Sequence, residues 1–220
     1  MKPLYADNRI YVCLKPPGVV SVDQPGGLPE LIRRELGDAH ACVRTVHRLD
    51  QVVGGVMVLA RSKRAAQLLS EQVQQRRFGK EYLAVVHGRP SPAAGTMRDL
   101  LTRDRAERRT LVTKTPGKDA REAVLDYETL ETAEGLSLVK ITLHTGRTHQ
   151  IRAQFSARGL PLAGDRKYGA PAQEQMEGIA LWSHSLTFFH PQTGEEQTFS
   201  APPPDQWPWN LFRFRDGGQE

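Results

Sequence analysis

Cysteine is scarce in this chain of 220 residues, and the spacings of a metal site are absent. The two cysteines, Cys13 and Cys42, provide neither a disulfide framework nor a paired zinc-binding motif. The seven histidines form no HExxH pattern. We therefore expect no bound metal, and we expect Cys13, which falls in an apolar strand pattern, to be a small buried hydrophobic residue.

The sequence also lacks a long hydrophobic run. No segment approaches the roughly 18 apolar residues that a membrane-spanning helix needs. The N-terminal segment, residues 1–7, lacks the apolar stretch of a secretory signal. These absences predict a cytoplasmic protein. The length fits one large domain or two small ones, and because the sequence shows no internal repeat and no clear linker, we expect a single domain over residues 1–220.

Positive charge is in moderate excess and is unevenly distributed. The net charge is +5, and residues 61–80 carry six Lys/Arg against one acid. Residues 103–121 carry seven Lys/Arg against three acids. Such local excess is typical of contact with a phosphate backbone, although a solvated surface has the same composition. Charge alone leaves both interpretations open.

Short strand patterns dominate the chain. Apolar alternation or apolar runs predict strands at 10–15, 56–59, 82–86, 123–127, 136–143, 179–189 and 197–199. Helical spacing predicts helices over 28–36, from a Ser62 cap to about Arg76, and from a Thr148 cap through Phe155. Residues 91–120 show little periodicity and are expected to form a long exposed excursion with one or two short strands. We expect the tail to be held on the body by Trp207 and Trp209. The whole pattern predicts an α+β fold with a mixed, largely antiparallel β-sheet and flanking helices and loops.

Two polar segments, far apart in sequence, are the leading candidates for chemistry. The first, His47-Arg48-Leu49-Asp50, precedes the buried strand at 56–59, and the second, residues 146–152, follows another strand pattern. Asp50 is a potential nucleophile or base, although an aspartate before a strand is more often a turn or capping residue. If Arg152 pairs with Asp50, the carboxylate stays ionised at neutral pH and can attack carbon. The two segments then build one acidic centre in a basic cleft, as expected of an enzyme acting on a polyanion.

The other candidate residues each have a structural alternative. Tyr82 is either a core tyrosine or an aromatic surface on which a flipped base stacks. His47 and His149 are better suited to orienting loops by hydrogen bonds than to acid catalysis. Arg166 and Lys167 lie in a predicted polar turn, from which they can reach a phosphate backbone.

A series of short motifs runs nearly the whole length of the chain. In order they are Lys15-Pro16-Pro17-Gly18, His47-Arg48-Leu49-Asp50 with Gly55, Lys80-Glu81-Tyr82, His87-Gly88, residues 146–152 (GRTHQIR), Gly164-Asp165 with Tyr168-Gly169, and His190-Pro191. Each motif is weak alone, but their order and spacing are specific. In this series the chain resembles the RluA family of RNA pseudouridine synthases.

The resemblance implies a pseudouridine synthase fold, with a catalytic cleft across the sheet. It also implies an enzyme that converts uridine in RNA to pseudouridine without cofactor or metal. Asp50 is implied to be the nucleophile, Tyr82 to pack on the target base and help move a proton, and Arg152 to pair with the aspartate. Arg48 is implied to fill the stack that the flipped nucleotide leaves. We expect further RNA contacts from His47, Arg147, His149, Arg166 and Lys167. Whether the aspartate attacks the ribose C1′ or acts through a glycal-like intermediate stays open.

Two positions depart from the pattern of the family. Where the family often has Thr-Ser-Gly, this chain has Val53-Gly54-Gly55, which we expect to change local packing without loss of activity. Where the family often has Leu-His-Ala, this chain has Leu181-Trp182-Ser183, which we expect to alter how the last strands face RNA. Many members carry an S4-type RNA-binding domain. This sequence shows none, so we expect affinity to come from the basic surface of the catalytic domain.

The leading hypothesis is a monomeric synthase that modifies a specific uridine in structured tRNA or rRNA. One alternative is a non-catalytic RNA-binding protein on the same scaffold, which needs the basic surface but neither Asp50 nor Tyr82. Another alternative is a hydrolytic glycosidase, which normally uses two carboxylates about the scissile bond. Only Asp50 has a clear context for such a role.

Overall fold

The computed structural model describes residues 2–174 and 176–213. The helices within these residues are α1 (Leu28–Leu36), α2 (Lys63–Gln74) and α3 (Gln150–Ser156), together with two short 3₁₀ turns. The strands are β1 (Tyr5–Ala6), β2 (Ile10–Lys15), β3 (Arg44–Thr45), β4 (Gly54–Ala60), β5 (Gly79–His87), β6 (Ala94–Asp104), β7 (Arg109–Thr113), β8 (Arg121–Ala133), β9 (Leu136–Leu143), β10 (Leu181–Phe189) and β11 (Glu196–Ser200).

All of these described strands belong to one sheet. Its order is β1-β2-β4-β10-β5-β9-β8-β6-β7, while β3 pairs with β4 and β11 pairs with β10. Only the contact between β4 and β10 is parallel among the described pairings, so the sheet is mixed and mostly antiparallel. This arrangement confirms the predicted fold class.

The parallel contact at the centre of the sheet is short and close. It aligns Gly54 with Trp182 and Gly55 with Ser183. Gly55 has a φ of +121°, and a Cβ at this position would lie 2.4 Å from the Ser183 carbonyl oxygen. The chain therefore needs glycine where β4 begins, because only glycine combines this backbone conformation with so close an approach.

Alternation along the strands divides the core between the two faces of the sheet. On one face, Tyr11, Met57 and Tyr82 join a large apolar cluster that also contains Phe155 of α3. On the other face, Val12 and Val58 pack with Leu69 of α2 and Phe188. The first face also carries the cleft described below.

Most predicted elements are present. The helix at 28–36 has the predicted bounds, and Ser62 caps α2 by accepting a hydrogen bond from the Ala65 amide at 3.1 Å. Cys13 is fully buried and Trp209 packs into an apolar cluster with Trp207 at its edge, as predicted. None of the helices in residues 2–174 and 176–213 has the length and apolar character to cross a membrane.

Two local predictions were wrong. Residues 91–120 are not mainly an irregular excursion, because β6 runs for 11 residues and pairs with both β7 and β8. The backbone hydrogen bonds of this hairpin stabilise strands whose side chains are mostly half-exposed and polar, which hides their periodicity. In addition, α3 is capped by His149, with a φ of +52°, and not by Thr148.

Candidate active site

A cleft with a volume of about 1310 Å³ crosses one face of the sheet. Both polar segments predicted from the sequence contribute to its walls, because residues 45–51 and 142–152 line it. Tyr82 of β5 and Leu181 of β10 add to the lining from the middle of the sheet. The fold thus brings the two distant segments to one site.

The loop that carries Asp50 is fixed through its backbone. The hydroxyl of Ser21 donates to the Leu49 carbonyl at 2.8 Å and accepts from the Leu49 amide at 3.1 Å. The Val53 amide closes a turn onto the Asp50 carbonyl at 3.0 Å. The His47 Nε2 accepts a hydrogen bond from the Val58 amide at 3.2 Å, and this joins the loop to β4. These bonds leave the side chains of Arg48 and Asp50 free to enter the cleft.

A buried lysine lies beneath this loop. Lys15 is fully buried, and its Nζ donates to the carbonyl oxygens of Pro16, Val19 and Gln51 at 2.9, 2.7 and 3.2 Å. Burial lowers the pKa of Lys15 to about 8, although the negative charge of Asp50 opposes that shift. Lys15 therefore ties the segment at 16–19 to Gln51 of the loop that carries Asp50, and adds positive potential behind the carboxylate.

The Asp50 side chain is partly open to the cleft. It is 27% exposed, and its Oδ2 accepts a hydrogen bond from Arg152 Nη1 at 3.2 Å. His149 Nε2 lies 3.7 Å from the same oxygen. Among the described residues, the Asp50 Oδ1 accepts no hydrogen bond, so one carboxylate oxygen remains available to a ligand.

Arg152 has a second and closer partner, Asp165. The Arg152 Nε and Nη2 donate to the two oxygens of Asp165 at 2.6 and 2.8 Å, and both side chains are almost completely buried. Burial opposes the charge on Arg152, but Asp165 and then Asp50 outweigh it and raise the pKa of the guanidinium. The pairing of Arg152 with Asp50 is present, but the bidentate bond goes to Asp165.

Tyr168 connects this ion pair to the rest of the cleft. Its ring lies under the guanidinium of Arg152, 4.8 Å from the Arg152 Cζ. Its hydroxyl accepts from the Thr110 amide at 2.7 Å and contacts His149 Nδ1 at 2.8 Å. Burial lowers the pKa of His149, while the charge of Asp50 opposes that shift. The hairpin β6–β7, through Thr110, therefore helps to hold the wall that faces Asp50.

Tyr82 lines the cleft from β5 and is 6% exposed. Burial and the nearby charge of Asp50 raise the pKa of its phenol, while a hydrogen bond with Ser183 opposes the shift. The hydroxyl is therefore protonated at neutral pH, and the side chain offers a neutral aromatic surface close to Asp50.

The predicted RNA-binding residues are placed in three different ways. Arg48, Arg147 and His149 line the cleft, and the first two are exposed. His47 also lies in the wall of the cleft but is buried, with Nε2 bonded to backbone and its pKa lowered to about 3 mainly by burial, so its ring orients the loop. Arg166 and Lys167 are exposed but do not line the cleft, and Arg166 Nη2 donates to the Glu174 carbonyl at 2.7 Å.

The two segments that depart from the family pattern contact each other through Gly54 and Trp182. Gly54 lies under the indole of Trp182, and a Cβ on Gly54 would lie 2.5 Å from a ring carbon. Trp182 packs with Leu83 and Trp209, on the face of the sheet opposite Tyr82 and the cleft. The Trp182 ring fills volume that Gly54 leaves free and is buried, whereas Leu181 of the same segment lines the cleft, so the effect of this departure on RNA contact stays a prediction.

Three residues that build the site received no role from the sequence. Asp165, Lys15 and Lys80 all belong to the matched motifs, yet nothing in the sequence shows which charges are buried or what they contact. A buried arginine needs a counter-ion, and that rule points to a carboxylate near Arg152 without identifying which one.

Comparison with known proteins agrees with the geometry. A family model described as RNA pseudouridylate synthase matches residues 9–157. The chain is 37% identical over 205 residues to the dual-specificity RNA pseudouridine synthase RluA of Escherichia coli K12, covering 90% of this chain and 91% of that protein. It is 34% identical over 223 residues to the uncharacterized RNA pseudouridine synthase YlyB of Bacillus subtilis, covering 97% and 73%.

Solved structures show the same fold. The human RNA pseudouridylate synthase domain containing 1 superposes with a TM-score of 0.79 at 25% identity, covering 93% of this chain and 84% of that one. The human RNA pseudouridylate synthase domain containing 4 gives 0.76 at 24% identity, covering 92% and 88%. With motifs, cleft and relatives in agreement, this chain belongs to the RNA pseudouridylate synthase family of isomerases, and its named relatives include RluA.

Proposed function

We propose that this protein isomerises a specific uridine in structured RNA, either tRNA or rRNA, with Asp50 as the nucleophile. The observation that carries this proposal is the state of the Asp50 carboxylate. One of its oxygens is held by Arg152, the other has no partner among the described residues, and both face a cleft of sufficient volume for a nucleoside.

The proposed reaction begins with extrusion of the target uridine into the cleft. Unstacking a base costs a few kcal/mol, and stacking on an aromatic side chain returns roughly 1–3 kcal/mol. Tyr82 supplies that surface, and the exposed Arg48 at the rim fills the gap in the RNA stack. Binding energy from the rest of the RNA offsets the remaining cost.

The chemistry then exchanges one bond to the ribose for another. Asp50 attacks C1′ and forms an ester as the bond from C1′ to uracil N1 breaks. The uracil anion rotates, and its C5 then displaces the Asp50 carboxylate from C1′. The C5 proton leaves to solvent and N1 gains a proton. Arg152 holds one oxygen of the carboxylate in place, and the walls of the cleft hold the detached base so that it rejoins and does not escape.

The arrangement of the two carboxylates that share Arg152 favours isomerisation over hydrolysis. A hydrolytic glycosidase normally places two carboxylates on either side of the scissile bond. Asp165, which contacts the same guanidinium as Asp50, is 1% exposed and both of its oxygens are bonded to Arg152. It is therefore not available to activate water.

We further propose that the protein acts on RNA as a monomer. The large apolar side chains that are exposed among the described residues are Leu4, Val22 and Leu130, which lie in separate segments. A stable homodimer normally buries a contiguous apolar patch, which scattered single residues do not provide.

Release of tritium from tRNA and rRNA transcripts labelled at uracil C5 tests the proposal. We expect the wild type to release tritium and Asp50→Asn and Asp50→Ala to release none, while both variants still bind RNA. Asp126→Asn, which removes another carboxylate from the same cleft, is the matched control and should keep turnover. Turnover by either Asp50 variant, or free uracil as the product, would contradict the mechanism.

A further inference from the structure

Lys80 places a positive charge in the cleft without a counter-ion. Its side chain is half-buried and lines the cleft. Among the described residues it makes no ion pair and no hydrogen bond, and its Nζ lies 5.4 Å from the centre of the Phe78 ring. A Cβ placed on Gly146 would lie 3.8 Å from the same nitrogen, so the ammonium sits between an aromatic ring and bare backbone.

Other cations of the cleft are either paired with a carboxylate or exposed to solvent. Arg98 forms an ion pair with Glu122 at 2.6 Å, and Arg152 is held by two carboxylates. Arg48 has no ion pair among the described residues, but it is exposed and hydrated. Lys80 alone among these four is both partly desolvated and unpaired, and burial lowers its pKa. The lost hydration of Lys80 is a cost to the free protein that no ion pair or hydrogen bond among the described residues offsets.

The position of Lys80 relative to Tyr82 indicates what the charge serves. The two residues are two apart on β5, so they share a face of the sheet and are separated by roughly 7 Å. That spacing is comparable to the distance between a nucleobase and the phosphate of its own nucleotide. An ammonium is a compact point charge, which suits a phosphate, whereas a uracil offers only neutral acceptors.

We infer that Lys80 binds the backbone phosphate of the flipped uridine while Tyr82 holds its base. This inference rests on the proposed function, because it assumes that the base stacks at Tyr82. The phosphate then supplies the counter-charge that the free protein lacks, and the nucleotide is fixed at two points before Asp50 acts.

Salt dependence of RNA binding tests the inference. The probe is a fluorescently labelled RNA hairpin with a uridine-rich loop, titrated with wild type, Lys80→Met and Lys80→Arg over a range of salt concentrations. Loss of one phosphate contact should reduce the slope of log K against log salt by roughly 0.7–0.9, and Lys80→Arg should retain the wild-type slope. The melting temperature of Lys80→Met should equal or exceed that of the wild type.

Lys140→Met is the matched control, because the Lys140 side chain is 41% exposed, pairs with Glu81 at 3.2 Å and does not line the cleft. It should leave the slope unchanged. Equal slopes for wild type and Lys80→Met would overturn the inference, and a lower melting temperature with an unchanged slope would assign Lys80 a structural role.

The two proposals fail separately in these measurements. Absence of tritium release by the wild type counts against the proposed isomerisation, whatever the salt slopes are. Tritium release by the wild type together with an unchanged slope for Lys80→Met refutes only the phosphate contact.

Discussion

The two sides of the cleft hold their charged residues in opposite ways. On one side, the backbone of the loop at 47–53 is held by Ser21 and Lys15, and the neutral His47 of the loop accepts a hydrogen bond from the Val58 amide of β4. On the other side, the segment at 146–169 is fixed by its side chains, above all the ion pair of Arg152 with Asp165.

This difference explains why Asp165 and Asp50, which both contact Arg152, differ in exposure and in hydrogen bonding. Asp165 has a structural role, since both of its carboxylate oxygens accept hydrogen bonds from Arg152 and the residue is 1% exposed. Asp50 receives one longer bond of 3.2 Å and is 27% exposed, because its loop does not depend on the carboxylate for its shape. Fixing a loop through its backbone leaves its side chains free for chemistry.

The largest expected effect on stability comes from Asp165→Ala. The substitution leaves the buried guanidinium of Arg152 without its closest counter-charge, and we expect the free energy of unfolding to fall by about 3–5 kcal/mol. Urea unfolding measures this loss.

The matched control is Asp23→Ala, because Asp23 also makes a bidentate pair, with Arg33, but is 55% exposed. We expect that control to lose about 0–1 kcal/mol. If both variants lost the same free energy of unfolding, burial would not be the reason that the ion pair of Asp165 with Arg152 stabilises the protein.

Gly54→Ser should have the next largest effect. The new Cβ would lie 2.5 Å from the Trp182 ring, and overpacking of this kind costs about 1–3 kcal/mol. Trp182→His in the same chain should return part of this loss, because the smaller ring vacates the volume over residue 54. A double-mutant cycle by urea unfolding measures the coupling, and strictly additive effects would show that the two positions are independent.

The smallest expected effect is a dependence on pH at His47. The pKa of this histidine falls from 6.5 to about 3 on folding, so below pH 6.5 the unfolded state binds a proton that the folded state does not. Its contribution to stability is complete above pH 6.5 and declines as pH falls toward 3, by about 1.4 kcal/mol at pH 5.5. The free energy of unfolding of His47→Gln should fall less than that of the wild type as the pH is lowered from well above 6.5 to 5.5, by about 1.4 kcal/mol. Parallel pH curves for the two proteins would mean that the pKa of His47 is not lowered by folding.

Local patterns in the sequence predicted those elements that depend on local physics. The alternation of Tyr11 and Cys13 with Ile10 and Val12 marks β2, and the Ser62 hydroxyl marks the start of α2, because both signals are set within a few residues. The resemblance likewise led to the pairing of Arg152 with Asp50, which the structure contains.

The sequence did not predict features that depend on distance in space. Asp165 lies 13 residues after Arg152 in a turn, and no rule of spacing identifies it as the buried counter-ion. Thr110 falls in a stretch that was predicted to be irregular. Its amide nevertheless donates to the Tyr168 hydroxyl, and its hydroxyl donates to the Thr148 carbonyl. Gly54 and Trp182 each looked like an isolated departure until the parallel contact placed them together.

The position of β10 has a consequence for how the enzyme is made. This strand, at residues 181–189, lies between β4 and β5, which end at residues 60 and 87, more than ninety residues earlier in the chain. During synthesis, β4 and β5 emerge from the ribosome long before the strand that joins them, and such long-range pairing forms late. The cleft, with both of its walls, is therefore assembled only after most of the polypeptide has been translated.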